Sequence, residues 1–309
     1  MVLSDSVKKA LSETVESPVL WDAPLQAWTT FRIGGPADAL VTPETEEQLM
    51  GVLVLCEQEE LDWTIIGRGS NILAADEGYR GVVVVLGEGF KRFSRLQESG
   101  QSSIMIRAGA AASLTRLTDW AAEQGGSGLE FAAGIPGSVG GAVAMNAGAW
   151  GEEMSGVIES IRLVNHERMV DVRGTEAGFS YRSFQDLSLQ YRGFVITAVD
   201  LLLKKSTPEK VRGKMKELRT LRTGNQPAGM PNAGSFFKNP FQANAGRLID
   251  EAGLKGLRIG DAEVSRKHAN FFVNRGGATA ADVITLMREV QARVKQNSGI
   301  MLEPEVHFL

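Results

Sequence analysis

Ten of the chain's 35 glycines fall between Gly125 and Gly156. Glycine loses more backbone freedom on folding than any other residue, so a cluster of this kind stands where main chain must turn sharply or approach a ligand closely. Over 309 residues glycine reaches about 11 %, against an average near 7 %. The densest part reads Gly134-Ile135-Pro136-Gly137-Ser138-Val139-Gly140-Gly141-Ala142 and continues through Asn146, Gly148 and Gly151. Side chains this small leave a main-chain surface on which a planar or pyrophosphate-bearing ligand can lie. Tight backbone packing between strands is the alternative.

A second glycine motif, Gly67-Arg68-Gly69-Ser70-Asn71, directly follows the strand-like run Trp63–Ile66. Two glycines around a polar residue let successive N–H groups point into one cavity, an anion-binding nest. The third glycine and the following helix of a Rossmann fingerprint are absent, and there is no Walker sequence. An ordinary glycine turn is the other reading. Two such segments in one chain shift the balance toward a dinucleotide site.

Composition narrows the class. Apolar residues make up 43 % and charged residues 23 %, and 33 Lys plus Arg against 37 Asp plus Glu leave a net charge of −4. That is a globular, not a disordered, composition, and it lacks the basic excess of a nucleic-acid footprint. The longest aliphatic run, Val82–Leu86, is far short of a membrane span, and the first residues contain no apolar core of signal-peptide length. Cys56 is the lone cysteine and no Asn-x-Ser/Thr acceptor occurs, so a cytoplasmic chain without disulfides is expected.

The patterning predicts an α+β chain. A polar helix and irregular lead-in over 1–27 precede strands at Trp28–Ile33 and Ala39–Thr42, a helix from Pro43 to about Glu60, and strands at Trp63–Ile66 and Gly81–Leu86. This β-α-β order marks a first subdomain over 28–90. A second, over 91–205, holds a strand at Ser102–Ala108, a helix at Ser113–Glu123, the glycine-rich segment, and strands near Val157–Val164, Arg168–Val172 and Gly193–Leu203. Residues 206–309 form a third part. It has a helix from Thr207 to about Thr223, a loop-rich stretch over 224–244, and a short helix near Ala245–Ala252. Strands at Asp261–Val264 and Phe271–Val273, a helix from Thr279 to Gln296 and a final strand at Val306–Leu309 complete it.

Three groups of residues carry candidate chemistry. Ser235, in Gly234-Ser235-Phe236-Phe237-Lys238-Asn239-Pro240, has neither a Gly-x-Ser-x-Gly elbow nor triad spacing around it. It reads as a proton donor in a partly dry pocket, or as a turn serine capping backbone. Arg182 follows Tyr181, and Glu303 and Glu305 lie in the terminal Leu-Glu-Pro-Glu-Val-His. A carboxyl flanked by strand formers can be buried with a raised pKa, although surface carboxylates are commoner. His166, His268, His307 and Cys56 show no metal-ligand spacing.

Together these segments resemble the UDP-N-acetylenolpyruvoylglucosamine reductases, flavoenzymes of peptidoglycan synthesis also called UDP-N-acetylmuramate dehydrogenases. The matching pieces are Thr29-Thr-Phe-Arg-Ile-Gly-Gly-Pro36, Gly67-Arg-Gly-Ser-Asn-Ile72, Gly134–Ala142 with Met145-Asn-Ala-Gly148, Gly234–Pro240, Val264-Ser-Arg-Lys-His-Ala-Asn270 and Glu305-Val306, in the family's order. The resemblance implies an FAD-binding domain of two α/β lobes, of the p-cresol methylhydroxylase type, followed by a C-terminal α/β substrate-binding domain. It implies FAD contacts at Arg32, Gly67, Arg68, Gly69, Ser70, Asn71 and Ile72, which hold the pyrophosphate side. Gly134, Ile135, Gly137, Ser138, Gly140, Gly141, Ala142, Asn146 and Gly148 would line the flavin.

By the same resemblance Ser235 is the proton donor, Arg182 and Glu305 polarise the substrate, and Tyr181, Lys238, Asn239 and His268 lie in substrate-contacting segments. The implied reaction is NADPH-dependent, FAD-mediated reduction of UDP-N-acetylglucosamine enolpyruvate to UDP-N-acetylmuramate, with no oligomer, nucleic acid or membrane required. Another flavin oxidoreductase of this fold with a different acceptor, or a glycine-rich nucleotide-binding module without redox chemistry, are the alternatives. The family usually places one variable residue between Tyr-Arg and Ser. Here Arg182 runs straight into Ser183, and the short stretch to Val195 resembles the family's short form, which lacks a substrate-capping tyrosine loop.

Overall fold

The structure is a computed structural model that describes residues 3–96, 102–184, 190–227 and 229–309. In chain order come α1 (Asp5–Thr14), β1 (Leu20–Pro24), β2 (Pro36–Val41), α2 (Glu46–Gln58), β3 (Trp63–Ile65), β4 (Ile72–Leu73) and β5 (Tyr79–Val84). Then follow β6 (Phe93–Arg95), β7 (Ser103–Gly109), α3 (Leu114–Glu123), α4 (Val139–Ala144), β8 (Ile158–Val164), β9 (Met169–Arg173) and β10 (Val195–Lys205). The last are α5 (Pro208–Asn225), β11 (Asn232–Ser235), α6 (Ala245–Glu251), β12 (Arg258–Ile259), β13 (Ala262–Val264), β14 (Phe271–Asn274), α7 (Ala280–Ser298) and β15 (His307–Phe308). Among the described residues no helix is long and apolar enough to cross a membrane.

The chain forms two compact units, each assembled from three segments. Met1–Trp21, Asp38–Arg68 and Gly81–Thr220 make the first, and Asp22–Ala37, Gly69–Arg80 and Leu221–Leu309 the second. In the first unit α2 starts at Thr45, whose hydroxyl accepts from the Gln48 N–H, and Glu46 and Glu47 stand at its positive end. A four-stranded sheet in the order β1-β2-β5-β3 has β3 and β5 parallel. The larger sheet runs β9-β8-β10-β7-β6, every pair antiparallel, with Gly126–Ser127 joining the end of β10. Its eleven-residue central strand β10 is mostly buried. Leu117, Phe131, Val139, Ile161, Leu163 and Leu201 are fully buried in this unit's core.

In the second unit β11-β14-β13-β12 form an antiparallel sheet, and β15 pairs in parallel with β4. The core holds Phe31, Ile33, Leu73, Phe236, Phe237 and Phe272 with Val283 and Val290 of α7. Phe236 stacks on Phe272 at 4.2 Å between ring centroids, and Phe237 meets Phe272 edge-on at 5.8 Å.

Three expectations are corrected. Trp28–Ile33 is a turn, not a strand. The Thr29 hydroxyl donates to the Ile33 carbonyl at 3.0 Å, and Arg32 adopts φ +56°. A side chain that bonds its own local backbone offers an alternative to a ladder, which is why β-branched residues here mislead. Residues 232–235, within the stretch read as loop, form strand β11. Inside the glycine-rich segment stands α4, a helix that propensity disfavours at about 1 kcal/mol per glycine. Tertiary bonds override that cost. The Val139 and Gly140 N–H groups donate to Ala112 and Ala110 carbonyls at 2.9 and 2.8 Å, and Ser138 caps the Gly141 N–H.

Candidate active site

Within the first unit the two glycine motifs meet. A Cβ at Gly67 would lie 2.3 Å from Ser138 Oγ, so any side chain there would force Ser138 from its place at the start of α4. Gly134 and Gly137 take φ +84° and +142°, conformations open to glycine, and deliver the chain into α4. A Cβ at Gly140 would stand 2.8 Å from that of Ala110, so α4 packs backbone-close against that segment. Gly140 and Ala142 are buried, Ile135 is half-buried, and Gly67, Arg68 and Gly141 are exposed. Gly67 and Gly141 thus contribute main chain without side-chain bulk.

Asn146 and Arg182 are brought onto one another's segments. Asn146 is fully buried with φ +38°; its amide donates to Ser180 O at 3.1 Å and its side-chain oxygen accepts the Ser155 N–H at 3.0 Å. Ser180 pairs with Ser183, leaving Tyr181-Arg182 as a two-residue hairpin turn with Arg182 at φ +57°. The missing residue after Tyr-Arg therefore yields a tight turn, braced by Phe179 stacked on Phe184 at 4.9 Å. The Arg182 guanidinium lies 5.2 Å from the Tyr181 ring centroid and donates to Gly148 O at 2.9 Å. One clasp thus ties the turn to the Asn146–Gly148 stretch.

The second unit gathers the remaining candidates. Gly69, at φ +61°, lies against residues 28–29: a Cβ there would fall 2.0 Å from Trp28 O. Thr30 donates its N–H to Gly69 O at 3.0 Å and its hydroxyl to Asn232 O at 2.7 Å, tying the nest to β11. Arg32 lies exposed on this turn, and Ser70, Asn71 and Ile72 are half-buried. A bulge between Asn232 and Ser235, with Gly234 at φ +79°, re-aims the chain at the strand end. Ser235 is half-buried, and within the described residues its hydroxyl makes no hydrogen bond, so it caps nothing. Phe236 and Phe237 beside it are each 1 % exposed.

Asn270 locks that pair. Its side chain accepts the Phe237 N–H at 3.0 Å and donates to Phe237 O at 2.8 Å, and its carbonyl accepts the Phe236 N–H at 2.7 Å. Sequence reasoning did not single it out, although it closes the quoted Val264–Asn270 motif.

The C-terminal segment runs antiparallel to the serine segment. Glu305 N–H donates to Phe236 O at 2.8 Å, Phe237 bridges Pro304, and Lys238 N–H donates to Glu303 O at 2.9 Å. Glu305 is half-buried, whereas Glu303 is exposed and lies 3.9 Å from the Lys238 ammonium. Asn239 accepts the Ala245 N–H at 3.0 Å and so fixes the start of α6. His268 is half-buried against Phe271; its Nδ1 accepts the Asn270 N–H at 3.2 Å. Burial chiefly, and then the Lys255 charge, push its pKa below the ordinary 6.5.

Known proteins give this architecture its class. Residues 37–176 match the FAD binding domain family. Residues 226–309 match the family described as UDP-N-acetylenolpyruvoylglucosamine reductase, C-terminal domain. The α+β fold is that of a flavoprotein oxidoreductase: an FAD-binding domain followed by a reductase C-terminal domain. The UDP-N-acetylenolpyruvoylglucosamine reductase of Heliobacterium modesticaldum is 43 % identical over 288 residues, 93 % of this chain and 89 % of its own. That of Desulfosudis oleivorans is 41 % identical over 98 % of both chains. The crystal structure of the Thermus caldophilus enzyme aligns with a TM-score of 0.78 and 38 % identity over 94 % of this chain and 98 % of that one. The chain belongs to the UDP-N-acetylenolpyruvoylglucosamine reductase family.

Proposed function

We propose that the protein reduces UDP-N-acetylglucosamine enolpyruvate to UDP-N-acetylmuramate at the expense of NADPH, with FAD as the hydride carrier, in peptidoglycan precursor synthesis. The observation that carries this reading is the backbone bond from Glu305 to Phe236, which sets the carboxyl-bearing segment beside the Ser235 segment, whose hydroxyl makes no hydrogen bond among the described residues. The glycines at Gly67, Gly134, Gly137 and Gly141, which leave little side chain over the main chain, support FAD as the group held, and the resemblance assigns Gly69–Ile72 to its pyrophosphate. FAD held there would supply hydride transfer from NADPH to C3 of the enolpyruvyl group.

The rest is done by side chains. Hydride addition at C3 puts negative charge on C2 and the attached carboxylate. Arg182 and a protonated Glu305 stabilise that aci-carboxylate, and donors aimed at charge that develops in the transition state often supply the largest catalytic effect. Ser235 gives its proton to C2, which completes the lactyl ether; so weak an acid serves only against so basic a carbon. Tyr181, Lys238, Asn239 and His268 contact the UDP-sugar. Every group comes from one chain, so the reading needs no second subunit, and the lone Cys56 agrees with a cytoplasmic chain.

The test is the anaerobic visible spectrum of the purified protein. A flavin band that one equivalent of NADPH bleaches, and that UDP-N-acetylglucosamine enolpyruvate restores, is expected. Bleaching without return would leave a flavin reductase with another acceptor, and a colourless protein after FAD is supplied would leave a binding module.

A further inference from the structure

Asn71 grips the C-terminal segment at two points. Its side-chain amide donates to the Glu305 carbonyl at 3.0 Å, and its own carbonyl accepts the His307 N–H at 3.0 Å. The two bonds straddle Val306, which is only 4 % exposed. Strand pairing proper begins at His307 opposite Ile72, so Glu305 lies beyond the ladder. The Asn71 amide supplies there the donor that a continuing strand would have supplied. Both main-chain polar groups of Glu305 are then held: the N–H by the segment that carries Ser235, the carbonyl by the nest.

We infer that Asn71 is a positioning residue for Glu305, fixing the backbone from which the carboxyl reaches substrate. The inference rests on the proposed role of Glu305 in the reduction. Removing the amide takes this bond away from the main chain of a half-buried residue and loosens its hold on the peptide. The carboxyl then loses its aim, and displacements of about 1 Å cost up to ~100-fold in rate.

The experiment compares Asn71→Ala, Glu305→Gln and the double variant in the two flavin half-reactions, with hydrogen exchange of residues 303–309 measured on the flavin-free proteins. In Asn71→Ala that retains flavin, reoxidation by substrate is expected to be about 10–100-fold slower, a larger loss than that in reduction by NADPH. Exchange at residues 303–309 rises. The double variant reoxidises no more slowly than Glu305→Gln, because Asn71 acts through that carboxyl. Wild-type reoxidation in Asn71→Ala, unchanged exchange, or a double variant slower by the full Asn71→Ala factor would each overturn the positioning role while leaving the Glu305 role intact. Wild-type reoxidation in Glu305→Gln would overturn that role itself, and the inference with it. Should Asn71→Ala not retain flavin, Asn71→Gln, which keeps the amide on a longer arm, enters the same comparison with the same outcomes.

Discussion

Ser235, the proposed proton donor, shows how little of such a residue's setting is its own. The hydroxyl is half-buried and, among the described residues, unbonded, and what places it is the bulge before it and the locked phenylalanines after it. Ser235→Ala removes one oxygen and no structural bond. It is expected to leave flavin reduction by NADPH unchanged and to slow reoxidation by the enolpyruvyl substrate by about 10²–10⁴-fold, read by stopped-flow absorbance. Equal loss in both half-reactions would make the serine structural. His268 illustrates a different residue-scale effect. Its Nδ1 accepts an N–H in the fold, a bond the imidazolium cannot make, and its pKa lies below 6.5. The unfolded chain therefore takes up this proton first as pH falls. The stabilisation is complete above about pH 6.5 and is lost progressively below it. Thermal melts between about pH 7 and pH 5 should show that decline in the wild type and a shallower one in His268→Gln, and parallel slopes would refute it.

At the scale of elements, the nest continues into a helix cap. Asp76, four residues beyond Ile72, accepts the Ala280 and Ala281 N–H groups at 2.8 and 3.0 Å, adding to the capping box of Thr279 and Asp282 on α7. A carboxylate at a helix N-terminus satisfies orphan donors and meets the positive end of the dipole. Asp76→Ala should cost about 1–2 kcal/mol in denaturant unfolding, and Asp76→Asn, which keeps an acceptor, appreciably less. Helices such as α2, α3 and α7 were legible because caps and apolar spacing lie within a few residues of each other. α4 was not, because its N–H partners Ala110 and Ala112 come from elsewhere in the fold. The Trp28–Ile33 turn was misread for a related reason: its β-branched composition says strand, while the Thr29 hydroxyl spends itself on local backbone.

The whole molecule is interleaved. The second unit takes Asp22–Ala37 and Gly69–Arg80 as well as its C-terminal part, and its core includes Phe31, Ile33 and Leu73 from those two segments. A fragment of residues 221–309 would lack these side chains and the β4 partner of β15. It should show no cooperative unfolding by near-ultraviolet circular dichroism, whereas supplying residues 22–37 and 69–80 in the full chain restores it. A cooperative transition in the isolated fragment would contradict this account of the core.

Sequence alone determined what depends on neighbours in the chain: the glycine-lined turns, the capped helices, and the motifs that name Ser235, Arg182 and Glu305 as candidates. It also carried the family resemblance, since six short motifs in order need no coordinates. Tertiary structure decided the rest. Only in the fold does Gly67 abut Ser138, does Arg182 reach Gly148, and does Asn71 hold the carbonyl of a residue 234 positions away. No local propensity encodes such bonds, because their partners meet only after the loops between them have closed and both cores have packed.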